Sequence, residues 1–64
     1  MAIETRFKCN RSGNDYLKVR SYLDGEDVII TLQLDGLESE IYLDIPTAIK
    51  LSKTIRTEIN KLKS

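Results

Sequence analysis

Histidine and tryptophan are absent from this 64-residue chain, and cysteine and proline occur once each. Each shortage closes a class of function. Without His and with a single Cys, a zinc or haem site has too few ligands. A nucleophile–base pair would have to be assembled from carboxylates, lysines, tyrosines or the lone thiol, so an enzyme is not expected. One Cys makes no internal disulfide, the usage expected in a reducing, cytoplasmic compartment. The three glycines stand apart at 13, 25 and 36, so no glycine-rich phosphate loop forms. The longest apolar runs, such as Val28-Ile29-Ile30, are far too short to cross a bilayer, and the opening Met1–Arg6 lacks a signal-peptide apolar stretch. No cofactor, metal or membrane partner is expected.

What is present suits one small globular domain covering 1–64, with 41% hydrophobic and 31% charged residues ruling against disorder. A domain of this size buries only about 60% of its unfolded surface, and without disulfides or metal it needs very good packing or a second copy. Self-association is therefore expected from the outset.

The patterning predicts four strands and a helix. Ile3, Thr5, Phe7 and Cys9 alternate with Glu4, Arg6 and Lys8, the period of a half-buried strand over about 2–9. Turn formers fill 10–15. A second strand over 16–23 turns Leu17, Val19 and Leu23 inward and Tyr16, Lys18, Arg20 and Tyr22 outward. A third over 28–34 turns Val28, Ile30, Leu32 and Leu34 inward and Ile29, Thr31 and Gln33 outward. A four-residue loop at 24–27 would pair Val19 with Leu32, whereas a two-residue Asp24-Gly25 turn shifts the register by two and keeps the faces. Asp35-Gly36 is a second two-residue turn signal, pairing Ile30 with Ile41 and Val28 with Leu43 in a fourth strand over 38–43. From Pro46 the period changes: Ala48, Leu51, Ile55, Ile59 and Leu62 form one helical stripe over about 46–62. Asp44 can cap this helix and Pro46 is tolerated in its first turn, while Lys61 and Lys63 suit its C-terminal dipole. Ile45 and Ile49 lie off the stripe, either closing the end of the core or meeting a partner. The fold class is α+β, a four-stranded antiparallel meander followed by one helix on one sheet face (ββββα). One helix covers one face, so the other stays wet or meets a partner.

Zero net charge hides a segregation. Residues 1–23 carry five bases and two acids, residues 24–45 seven acids and no base, and residues 46–64 five bases and one acid. On the open face, Arg6, Lys8, Lys18 and Arg20 on one side oppose Glu38, Glu40 and Asp44 on the other, a distribution suited to cross-strand pairing or to a complementary partner.

Two candidate sites share that face. A protein-partner surface would comprise Arg6, Lys8, Lys18, Arg20, Tyr22, Ile29, Thr31 and Tyr42. A surface for single-stranded nucleic acid would use Arg6, Lys8, Tyr16, Lys18, Arg20 and Tyr22, because bases stack on rings while cations follow phosphates. Neutral charge and seven central acids favour the protein partner, since phosphate is repelled by them. Cys9 falls on the inward parity and reads as a small hydrophobe. Asp24, Glu26 and Asp27 crowd one loop but lack the length and terminal Glu of an EF-hand, and read as solvated turn residues. The helix bases Lys50, Lys53, Arg56, Lys61 and Lys63 spread around a solvated face.

The element order, and the segment Glu40-Ile41-Tyr42-Leu43-Asp44-Ile45-Pro46 that leads from strand to helix, resemble the PUR-type single-stranded DNA-binding domains and related transcription-cofactor folds. That resemblance implies a ββββα unit that combines in pairs and binds single strands. The expectation is a small cytoplasmic regulatory protein, binding a partner through its open sheet face as a homodimer, with single-stranded nucleic acid as the alternative ligand.

Overall fold

The computed structural model describes residues 5–63. Four strands, β1 (Thr5–Lys8), β2 (Tyr16–Tyr22), β3 (Asp27–Leu34) and β4 (Leu37–Leu43), precede one helix, α1 (Ile45–Lys63). The strands pair antiparallel in chain order, β1-β2-β3-β4, giving the ββββα meander that the patterning predicts. The expected start of the first strand at 2–4 lies outside the described residues.

The β3–β4 turn follows directly from its two residues. Asp35 and Gly36 have φ of 51° and 79°, the left-handed pair of a type I′ turn whose twist matches the flanking strands. It sets Ile30 against Ile41 and Val28 against Leu43, as expected. Between β2 and β3 the register is Val19 to Ile30, the shorter-turn alternative, although the strands end at Tyr22 and Asp27 and leave 23–26 as loop. Leu23, expected to face inward, belongs to that loop and is 77% exposed. At the other end of the sheet Asp15 Oδ1 accepts the Asp35 N–H at 3.1 Å, tying the β1–β2 loop to the β3–β4 turn.

Helix α1 starts where the cap allows it. Asp44 Oδ1 accepts the Thr47 N–H at 3.0 Å, satisfying one of the otherwise unpartnered first-turn donors, and the Asp44 carbonyl accepts the Ala48 N–H at 2.9 Å as the first bond of the helical ladder. The Thr47 side chain and backbone N–H hold the Asp44 carboxyl below its ordinary value of 3.8. Lys61 and Lys63 occupy the last turn.

The location of the core differs from expectation. Strand parity does put Phe7, Leu17, Val19, Val28, Ile30 and Ile41 on the helix side, but Phe7 stays 52% and Ile41 56% exposed there. No residue of α1 is buried; Leu51 and Ile55 of its apolar stripe are 38% and 52% exposed. Helix and sheet leave an open groove of about 400 Å³ between them. Ile45 and Ile49, about half exposed, do not close the core's end. Among the described residues the buried side chains, Ile29 at 1% and Thr31 at 3%, lie on the opposite face. The reason is local: these two short side chains of a central strand sit between long ones from β2 and β4 that fold across them.

Candidate functional site: the clasped sheet face

The face away from the helix is built by register. Reading across the sheet, Arg20, Ile29 and Tyr42 form one row, and Lys18, Thr31 and Glu40 the next. Side chains from β2 do not meet those of β4 within a row. Arg20 Nη2 reaches Glu40 Oε2 at 3.1 Å, Lys18 Nζ reaches Glu38 Oε2 at 3.8 Å, and the Tyr22 and Tyr42 rings meet edge to face with centroids 6.0 Å apart. All three contacts run two residues along the same diagonal, as the right-handed twist of adjacent strands dictates. Together they form a clasp over β3. Glu40 Oε2 also lies 3.5 Å from the Thr31 hydroxyl, which donates to it, so the buried oxygen has a partner.

Gly25 holds one end of the clasp. A Cβ there would lie 2.9 Å from Tyr22 Cδ2 and 3.0 Å from Asp27 Oδ2, so only a residue without a side chain lets the Tyr22 ring settle over the loop. Tyr22 and Tyr42 keep 42% and 53% of their surface exposed, as an aromatic pair available to a partner would.

At the β1 side the Arg6 guanidinium stands 4.4 Å over the Tyr16 ring and Lys18 Nζ 5.7 Å from its centroid. The stack follows from the Arg6–Lys18 and Lys8–Tyr16 pairings, which place bases beside the ring.

The structure thus brings Arg20, Tyr22 and Tyr42 together at one end of the face, and Arg6, Tyr16 and Lys18 at the other, with Lys8 on the edge strand beside Tyr16. Ile29 and Thr31, expected among the partner contacts, are correctly placed on the face but covered, and offer a partner no surface. Glu38 and Glu40, left out of the candidate surfaces, are part of it through their pairs with Lys18 and Arg20. Their spacing was a usable signal: acids two apart on one neighbour of β3 answer bases two apart on the other. Cys9 is half-buried just beyond β1, its Sγ accepting the Arg11 N–H at 3.3 Å. Among the described residues no group of three or more Cys, Asp or Glu is gathered to hold a metal ion, and no helix is long and apolar enough to cross a membrane.

Comparison of the chain with protein-family models, with curated proteins and with solved structures finds no match.

Proposed function

We propose that this chain is a non-enzymatic binding module, regulatory in role and cytoplasmic, that engages a protein partner through the clasped sheet face and works as a homodimer. The observation that carries the reading is the exposed Tyr22–Tyr42 pair beside Arg20, on a face whose Lys18 and Arg20 already have carboxylate partners. Tyrosine and arginine dominate the energetics of protein interfaces, and a pre-paired charge lattice at the rim favours orientation over phosphate capture. The unbridged Cys9 fits a reducing compartment.

A second reading draws on the other end of the face. Arg6, Tyr16 and Lys18 put an aromatic ring among cations, the combination single-stranded nucleic acid requires.

One paired experiment separates the two. Wild type and the Tyr22→Ala, Tyr42→Ala double variant are used side by side for quantitative affinity capture, while a labelled mixed-sequence oligodeoxynucleotide is titrated at low and near-physiological salt. The expected result is a protein retained by wild type and lost from the variant, without oligonucleotide binding. Oligonucleotide affinity that falls steeply with salt and disappears on Lys18→Glu with Arg20→Glu would replace the protein partner by nucleic acid. Capture unchanged by the double variant would remove this face from the function.

A further inference from the structure

We infer that the open groove between α1 and the sheet is closed by a second copy of this chain, in a two-fold dimer that leaves the Tyr22–Tyr42 face pointing outward on each side. The inference rests on the homodimer part of the reading above and names the surface through which it forms.

The groove is apolar on both walls. Phe7, Val19 and Ile30 line the sheet side and Leu51 and Ile55 the helix side. Ile59 and Leu62 are exposed further along α1 at 44% and 87%, so one copy carries both an apolar channel and an apolar ridge beside it. A two-fold axis needs that self-complementarity, since each ridge must enter the other copy's channel.

The area sets the size of the missing cover. The chain exposes 5645 Å², where the scaling for folded monomers gives roughly 4,200 Å² at 7.3 kDa. The excess, about 1,400 Å² per chain, falls within the 1,000–2,500 Å² or so that each subunit of an obligate homodimer buries. The radius of gyration agrees: 13.2 Å, against about 11 Å for a compact chain of this length.

Self-complementarity selects a copy over an unrelated protein: each chain carries both the apolar channel and the exposed helix ridge, and its uncovered area equals one subunit's share of a dimer.

The test is sedimentation velocity of the full chain from about 1 to 100 µM, with Ile55→Glu and with Tyr22→Ala, Tyr42→Ala, beside hydrogen exchange of wild type at both ends of that range. The expected result is a species of twice the 7.3 kDa chain mass, a thermal midpoint that rises with concentration, and protection gained along α1. Ile55→Glu should raise the dissociation constant at least 100-fold, while the tyrosine variant stays dimeric. A wild type that is monomeric at 100 µM, with a midpoint independent of concentration, overturns the inference and the homodimer reading together. A dimer undisturbed by Ile55→Glu but split by the tyrosine variant overturns the inference alone. Where Ile55→Glu does not fold, the exchange data decide: concentration-dependent protection confined to the strands refutes the groove as the interface.

Discussion

Burial of Ile29 on the face without a helix can be tested by shaving that side chain. Ile29→Ala removes three carbons from a side chain only 1% exposed. At about 0.8 kcal/mol per buried methylene the transfer term is roughly 2.4 kcal/mol. The cavity term is small here, because the cover consists of the long Arg20, Glu40 and Tyr42 side chains, which can settle into the space. The total should lie near 2–3 kcal/mol, in the lower part of the range of about 2–5 for such truncations. That lowers the thermal midpoint of a domain this size by roughly 10–20 °C. Ile29→Val, which keeps the branched shape, should cost about 1 kcal/mol and remain measurable if the alanine variant is too unstable. The assay is urea unfolding followed by far-UV circular dichroism at one fixed protein concentration, so that association affects every variant alike. Leu23→Ala, at a position 77% exposed, is the control. If both Ile29 variants cost no more than that control, the account of the clasped face as the better-packed side is wrong.

Gly36→Ala meets nothing within 4 Å but must hold φ near +79°, so it should destabilise by about 1–2 kcal/mol in the same assay, with Gly36→Asn milder. Gly25→Ala acts by contact instead: it should push the Tyr22 ring aside and weaken the tyrosine near-UV circular dichroism with only a small loss of stability, and an unchanged tyrosine signal would contradict the packing described. A double-mutant cycle on Arg20→Ala and Glu40→Ala should show a coupling of about 0.2–1 kcal/mol that shrinks in high salt, since both side chains are more than a third exposed. The Asp44 carboxyl is held below 3.8 in the folded chain by Thr47, so its helix-capping contribution is complete above that value and is lost as pH falls through the lower folded one; Asp44→Asn should flatten this part of the acid unfolding curve.

The parts of the fold legible in the sequence are those governed by neighbours along the chain. Alternation in 16–22 and 28–34 sets the facing of β2 and β3, Asp35-Gly36 sets the β3–β4 register, and Asp44 with the 48-51-55-59-62 stripe sets the helix. The β2–β3 register was open between two values, because Asp24-Gly25 inside a loop of three acids and a glycine permits more than one turn, and Glu26 rather than Gly25 takes the left-handed φ of 56°. The inversion of burial was hidden because parity tells which side a residue occupies and nothing about what lies above it. Ile29 and Thr31 are covered by side chains that arc in from β2 and β4, and such an arc depends on twist and side-chain length. The same twist explains why the individual members of the candidate site could be picked out but the Arg20–Glu40, Lys18–Glu38 and Tyr22–Tyr42 partnerships could not: each is a diagonal across two strands.

The chain-order sheet carries a kinetic consequence. Each strand of β1-β2-β3-β4 pairs with its sequence neighbours, through connections of two residues between β3 and β4 and four between β2 and β3. No distant segment has to find its place before a hairpin can zip, and hairpins of this kind close in roughly 1–10 µs. Within one chain little remains to slow folding. If a second copy supplies the cover over the groove, the rate-limiting event becomes an encounter between two chains, and refolding should accelerate in proportion to protein concentration until the unimolecular steps take over.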